Sequence, residues 1–256
     1  MDITLPPLHS PLARRELARF VWVATVGSTQ DWAMAEPVPA QGTAVFAAGH
    51  QRAGRGRRGR VWQSPAGAAL ALSLLRGFAG PLATVAPVGL AVALASADAL
   101  RRAGLAGVGV KWPNDLVLGE AKLGGLLVEV RASRPRPVLV IGLGINRALP
   151  EDTPIDQAWT DLERAGLRLP EADLLGLILE VVLPALARFD AEGLAPFVDA
   201  WPAFDVLAGR RVRLLMGRET LEGLALGLAA DGGLRVIHAE GERVHHAGEV
   251  SVRVAA

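Results

Sequence analysis

The chain has 256 residues, 51% of them hydrophobic, a formal net charge of +1 and no cysteine. That length and apolar content suffice for one large domain, or a domain with a small module, around a sizeable core. A charge this close to zero excludes binding to nucleic acid by overall electrostatics. The lack of cysteine excludes a disulfide framework, a zinc–thiolate site, a cysteine nucleophile and a thioester relay, which fits a cytoplasmic protein.

The N-terminal stretch MDITLPPLHSPLARRELARF has Asp2, Pro6 and Pro7 where an export signal would place a basic region and an apolar run. Residues 12–20, LARRELARF, read as a short amphipathic helix, and VWVATVGSTQ as a strand running into a loop. TAVFAAG and ALALSLL are two further strands, and HQRAGRGRRGRVWQSPAG between them is loop by composition. A long helix is expected over residues 82–103, closed by Gly104. Its apolar run is interrupted by Pro87, Gly89, Ser96 and Asp98, which fits a core helix and not a membrane span. VGVKW, DLVLG, GGLLVEVRA and PVLVIGLGI follow as strands, the middle pair joined through GEAKL as a hairpin. A helix over residues 171–189 contains Pro184, where a kink or break is expected. From about residue 209, RRVRLLM, ETLEGLALGLA, LRVIHAE and EVSVRV read as short strands separated by GR, DGG and GE turns. The order predicts an α+β chain: a mixed β-sheet domain with helices packed on it over residues 1–206, and a small β-barrel over residues 207–256.

Lysine use is uneven. Of the 27 basic residues only Lys111 and Lys122 are lysines, both within KWPNDLVLGEAKLGG, and the chain's two asparagines are Asn114 in that segment and Asn146 in IGLGINR. A chain that otherwise uses arginine keeps lysine where a compact ammonium is needed in place of a planar fork. Pro113 biases Trp112 toward extended backbone and presents Asn114 and Asp115 at a turn, although a turn of this composition needs no function of its own. Gly124 and Gly125 after Lys122 permit close approach of a ligand or a strand. A lysine with a carboxylate and an amide nearby can hold a phosphate and its Mg²⁺. In QRAGRGRRGRVW, the arginines 52, 55, 57, 58 and 60 alternate with Gly54, Gly56 and Gly59. Crowded cations repel, so the loop is expected to stay mobile until an anion neutralises it, and its glycines let backbone N–H groups close on phosphate or carboxylate oxygens. A solvated surface loop, or a nucleic-acid patch with Trp62 as its stacking aromatic, has the same composition.

In this order and spacing GSTQDWA, QRAGRGRRGRVWQSPAGAALALSLL, KWPNDL, KLGGLLVE and GLGIN resemble the signature segments of the biotin protein ligases, the biotin–[acetyl-CoA-carboxylase] ligases, from about Val21 to the C-terminus. The resemblance implies ATP and biotin as substrates with Mg²⁺: biotin's carboxylate attacks the α-phosphate to give biotinyl-5′-AMP and pyrophosphate, and a carrier lysine then attacks the mixed anhydride. It implies Lys122, Arg55 and Asp115 as catalytic residues, with Lys122 on the biotin carboxyl and the α-phosphate and Asp115 orienting the carrier lysine. Ser28, Thr29, Gln30, Gln51, Gly54, Arg55, Gly56, Arg57, Lys122, Gly124 and Gly125 are the implied biotin contacts. Arg57, Arg60, Trp62, Lys111, Asn114 and Asn146 are the adenylate contacts, the two asparagines also serving Mg²⁺ through the phosphates. Gln30 stands where the family has Asn, a departure from the pattern.

The resemblance further implies an SH3-like C-terminal barrel, and as partner the biotin carboxyl carrier domain of acetyl-CoA carboxylase or a related carboxylase. It is compatible with a homodimer. About 20 residues precede the first strand, fewer than the winged helix of bifunctional members needs, so DNA is not an expected partner, and the interrupted apolar run gives no reason to expect a membrane. Lipoate–protein ligases and octanoyl transferases share the catalytic fold, but a lipoyl site needs no partners for a ureido ring. A non-enzymatic biotin- or nucleic-acid-responsive module is the alternative from a different class.

Overall fold

In a computed structural model, residues 4, 7–132, 134–216, 219–247 and 251–254 are described. Ser10 accepts a hydrogen bond from the Ala13 N–H at 3.2 Å and caps α1 (Pro11–Glu16), with proline at the first helical position. The expected helix over 12–20 ends at Glu16. Leu17–Val23 is strand β1, because pairing in parallel with the fully buried β2 (Thr43–Ala48) outweighs the weak helical preference of LARF. Between them lies α2 (Thr29–Ala35), and after them β3 (Ala69–Gly77).

The single helix expected over 82–103 is two, α3 (Leu82–Val85) and α4 (Val88–Arg102), divided at Pro87. Strands β4 (Val108–Lys111), β5 (Asp115–Leu118), β6 (Ala121–Ala132) and β7 (Val138–Asn146) complete one sheet of order β1-β2-β3-β7-β6-β5-β4, antiparallel apart from the β1–β2 pair. Helix α5 (Glu171–Glu192) runs through Pro184 without the expected break; its buried face of Leu175, Ile178, Leu179, Val182, Leu183 and Leu186 holds it in place. A short α6 (Ala195–Ala200) was not legible beforehand.

Strand alternation sorts the two faces of this sheet. Val45, Leu70, Leu72, Leu74 and Ile141 join the core that also contains α4 and α5, whereas Ala44, Phe46, Leu75 and Val140 pack with Ala33 and Trp32 of α2. The α2 face is where Ser73, Gly142, Gly144 and Asn146 line a cavity. Helix α4 has Val88, Ala91, Val92, Ala93, Ala97 and Leu100 buried within the core.

The C-terminal strands are β8 (Arg211–Met216), β9 (Glu219–Leu228), β10 (Leu234–His238), β11 (Gly241–His245) and β12 (Ser251–Val254), in the order β11-β10-β9-β8-β12. Residues 241–245 form a strand where the sequence pattern places only a GE turn. The GR turn and the first two residues of EVSVRV lie outside the described residues. The expected barrel is an SH3-like antiparallel sheet whose edge strands β11 and β12 do not pair among the described residues. Its inner residues Val212, Leu214, Ala225, Leu234, Val236 and Val252 belong to the same hydrophobic cluster as α4 and α5. The DGG turn is the anchor: Trp112 Nε1 donates to Gly232 O at 3.0 Å, and Gly232, at φ +85°, packs so close to α4 that a Cβ would lie 2.8 Å from Leu90 Cδ1.

Candidate active site

The two β-turns of the β4–β5–β6 meander bring the segment's charges together. In register, Lys111 pairs with Asp115 and Asp115 with Gly125, and a bulge between Leu116 and Val117 lets Lys122 return beside Asp115. Lys122 Nζ sits 2.8 Å from Asp115 Oδ1, both side chains 19% exposed. Gly125 makes room for the pair, since a Cβ there would lie 3.2–3.4 Å from Lys122 Cε, Lys122 Nζ and Asp115 Oδ1. Burial pushes the Lys111 ammonium below the ordinary lysine value, an effect that Asp115 opposes and Arg253, Lys122 and Arg210 reinforce.

Both asparagines serve the framework. Asn114 Oδ1 accepts from Arg57 Nη1 at 2.9 Å and its Nδ2 donates to Leu126 O at 2.8 Å. Asn146 Nδ2 donates to Thr160 O at 2.9 Å and Lys122 O at 3.3 Å, while the Lys122 N–H donates to Ala158 O at 2.9 Å. Residues 158–160 thereby form a single isolated parallel bridge to Lys122 from otherwise irregular chain. Trp159, at this bridge, lines the cavity, and the Arg164 guanidinium lies 4.4 Å from its ring centroid.

The opposite end of the cavity is a relay of uncharged polar groups. Ser28 caps α2 by accepting from the Asp31 N–H at 3.4 Å. The Thr29 N–H and Oγ1 both donate to Gln51 Oε1, at 2.8 and 3.1 Å. Ser73 Oγ lies 2.9 Å from Thr29 Oγ1 and 3.0 Å from Gln30 Oε1, and its single proton can serve one of them at a time. Gln30 Nε2 donates to Val140 O at 3.0 Å, and its carboxamide fits only because position 142 is glycine: a Cβ there would lie 2.8 Å from Gln30 Oε1.

The Arg-Gly loop is a miniature hairpin. The Trp62 N–H donates to Gly54 O and the Gly56 N–H to Arg60 O, at 2.9 and 2.8 Å, closing Arg55 against Val61 around a tip where Arg58 adopts φ +57°. Arg55 pairs with Asp31 and Glu129, both at 2.5 Å, and hydrogen bonding to Asp31 heads the causes that raise its pKa. Arg57 bonds Asn114 and the Ala247 carbonyl in the turn after β11; burial first, then Arg58, lowers its pKa. The repulsion expected to keep the loop mobile is thus offset by carboxylates and carbonyls of the protein itself. The hairpin returns through Trp62, whose ring lies on the backbone of Gly144, with Lys122 Nζ 5.6 Å from the ring centroid.

These walls enclose about 360 Å³, within the range of small-molecule sites. Ser28, Thr29, Gln30, Gln51, Arg55, Gly56, Arg57, Arg60, Trp62, Lys111, Asn114, Asp115, Lys122, Gly125 and Asn146 all line it. Gly54 and Gly124 do not. They are close-packing positions, where a Cβ would lie 2.4 Å from Trp62 O and 2.7 Å from Gly144 O. Sequence reading passed over Ser73, Asp156, Trp159 and Arg253, which also line the cavity. Ser73 alone carried a signal, as the one hydroxyl in ALALSLL; Asp156 and Trp159 lie in irregular chain, and Arg253 is one basic residue in a C-terminal strand.

Among the described residues no cluster of three or more His, Cys, Asp or Glu side chains is arranged to hold a metal. The carboxylates lining the cavity are Asp115 and Asp156. Such a set suits a Mg²⁺ that arrives on a triphosphate and keeps its waters, and not a resident ion in a protein cage.

The Biotin/lipoate A/B protein ligase family profile matches residues 26–146, and that of the Biotin protein ligase C terminal domain residues 208–253. The chain is 33% identical over 217 residues to a biotin–[acetyl-CoA-carboxylase] ligase of Paracoccus denitrificans, covering 82% of this chain and 90% of that protein. It is 38% identical over 210 residues to the bifunctional ligase/repressor BirA of Escherichia coli, a match that takes in 80% of this chain and only 65% of BirA. Among solved structures, a biotin protein ligase from Aquifex aeolicus in complex with biotin and ATP superposes with a TM-score of 0.80 at 27% identity, over 93% of this chain and all of that one (100%).

Proposed function

We propose that this chain, a member of the biotin protein ligase family, activates biotin with MgATP as biotinyl-5′-AMP and passes the biotinyl group to a lysine of a carboxylase's biotin carrier domain. The observation that carries the reading is one cavity whose lining changes along β7: neutral hydroxyl and amide groups at Thr29, Gln51 and Ser73, linked to Gln30 against Gly142, and toward Asn146 the cations of Lys122, Lys111 and Arg253. The neutral end suits a ureido ring, which offers N–H donors and a carbonyl acceptor. The cationic end answers the central difficulty of the first step, that a carboxylate must approach a triphosphate of the same sign.

In this reading Lys122, held by Asp115, lies where the biotin carboxylate and the α-phosphate meet, and a fixed donor aimed at developing charge contributes about 3–4 kcal/mol. Lys111 and Arg253 face the remaining phosphates. Mg²⁺ comes with the nucleotide and supplies further charge neutralisation there. Asn114 and Asn146 act one step removed from the phosphates, by fixing Arg57 and the Lys122 backbone. Trp159, backed by Arg164, offers a flat wall suited to a purine, and Trp62 with the Arg55–Arg57 hairpin covers the anhydride against water. In the second step Asp115 would attract and orient the carrier lysine as an ammonium, which gives up a proton to water; its neutral amine then attacks the acyl carbon, the acyl C–O bond to the phosphate breaks to release AMP, and the nitrogen's second proton passes to water as the amide forms. Residues 1–206 would form the catalytic unit and 207–256 the module that contributes Arg253.

The test is pyrophosphate release from ATP in the presence of biotin, followed by mass gain of an added carrier domain. Release with lipoate or octanoate but not biotin would move the chain to the neighbouring ligases, and no release with any acid would leave a binding module.

A further inference from the structure

Two carboxylates outside the cavity grip one of its arginines. Asp31, in the first turn of α2, and Glu129, on β6, each meet a different nitrogen of Arg55 at 2.5 Å. Arg55 lines the cavity; neither carboxylate does. Glu129 Oε2 is buried with no hydrogen-bond partner among the described residues, so its whole productive contact is made through Oε1 to Arg55. Asp31 is fixed by the Ser28 cap, and its side chain is 59% exposed. The gripped residue belongs to the hairpin arm that pairs with the arm carrying Trp62, through Gly54 O and the Arg55–Val61 bridge.

We infer that Asp31 and Glu129 are positioning residues that act through Arg55, holding the Arg-Gly hairpin down over the cavity and thereby setting how long a reactive acyl-adenylate is retained. The hairpin has a second attachment, Arg57 to Asn114 and to Ala247. The two attachments use different arginines, Arg55 and Arg57, so the first can be released by substitution without removing the partners of the second. Charge-assisted pairs of a forked guanidinium fix direction as well as distance, and two carboxylates on separate elements leave Arg55 one orientation. The retention part rests on the reading of the cavity as an adenylate-forming site; the hold on the hairpin does not.

The experiment uses the full chain with D31N, E129Q and the pair together, each also in an R55M background. In ligand-free protein, trypsin cleavage within residues 52–60 should quicken several-fold in the double variant. Preformed biotinyl-AMP should escape or hydrolyse about tenfold faster, while the rate of adenylate formation changes much less. With Arg55 replaced by methionine, the carboxylate substitutions should add nothing, the mark of residues acting through a common partner. D31N, at an exposed position, serves as the folding-neutral variant should E129Q perturb the sheet. Wild-type cleavage and wild-type adenylate lifetime in the double variant overturn the inference, as do equal increments with and without Arg55. If wild-type protein released no pyrophosphate from biotin and ATP, the functional reading would fall, and the cleavage comparison would still decide whether the carboxylates hold the hairpin.

Discussion

Asp115 and Lys122 face each other at 2.8 Å across the β5–β6 hairpin, a contact made possible by the bulge after Leu116 and by the bare backbone of Gly125. The pair explains why this segment keeps lysine in a chain that otherwise uses arginine. The ammonium lies against Gly125 with Cε and Nζ 3.2–3.3 Å from where a Cβ would be, a slot sized for a point charge and not for a planar fork.

Lys122→Arg should therefore abolish most adenylate formation while preserving the charge. A guanidinium in this slot must either push on the Gly125 backbone or swing away from Asp115, and misplacement by about 1 Å is enough to cost roughly 10²-fold. Biotin-dependent exchange of pyrophosphate into ATP measures the step. Exchange at the wild-type rate would remove Lys122 from the chemistry.

Asp115→Asn separates positioning from orientation. The amide keeps the shape but leaves Lys122 without its charge partner, so the first half-reaction should slow by about tenfold. Transfer should slow by roughly 10²-fold, because the incoming ammonium loses the carboxylate that attracts it. Preforming the adenylate and then adding carrier domain times the second step alone. An undisturbed first step would mean that the ion pair does not place Lys122.

Why the site was legible and parts of the fold were not follows from where each signal resides. Lys111, Asp115, Lys122 and Gly125 sit within one meander of short turns, so sequence spacing translated directly into spatial contact. Gln51, Thr29 and Ser73 meet across separate elements; the first two came from the resemblance, and Ser73 was passed over because one hydroxyl in an apolar strand has no periodicity. Asp156 and Trp159 stand in irregular chain that docks on Lys122 through backbone bonds, which leave no trace in side-chain pattern. LARF became strand through parallel pairing with a buried neighbour, and Pro184 stayed within a helix because long-range burial overrode a local breaker. The mobility expected of the Arg-Gly loop assumed that only a ligand could neutralise it, whereas Asp31 and Glu129, distant in sequence, already do so at Arg55.

Gly144→Ala tests the seat of Trp62. A Cβ at this position would lie 2.5, 2.6 and 2.8 Å from Cε2, Cζ2 and Nε1 of the indole, so the ring must leave its place on β7. Overpacking of this kind costs about 1–3 kcal/mol, and biotinyl-AMP binding should weaken alongside. Trp62→Phe in the same chain removes the indole's second ring and should recover most of the lost stability, read from denaturant midpoints. No recovery would place the strain in the strand backbone instead.

Lys111→Met should stabilise the protein while impairing its use of ATP. Burial is the leading influence on this ammonium and lowers its pKa from the ordinary 10.5, against the opposing pull of Asp115. Between the lowered value and 10.5 the unfolded chain holds a proton that the folded chain has given up, so this residue makes stability rise with pH across that window. Below the window both states are protonated, and the folded protein bears the full cost of a half-buried cation. Methionine removes that cost at every pH. Its advantage over wild type in denaturant midpoint should therefore be largest near neutral pH and shrink as pH approaches 10.5. On the proposed function the cost of this cation is accounted for by the triphosphate it would face, so the KM for ATP should rise at least about tenfold, the equivalent of one lost charge-assisted contact, with the KM for biotin changing less. An unchanged KM for ATP would leave the buried ammonium without a purpose and would move the phosphate site away from Lys111 toward Arg253.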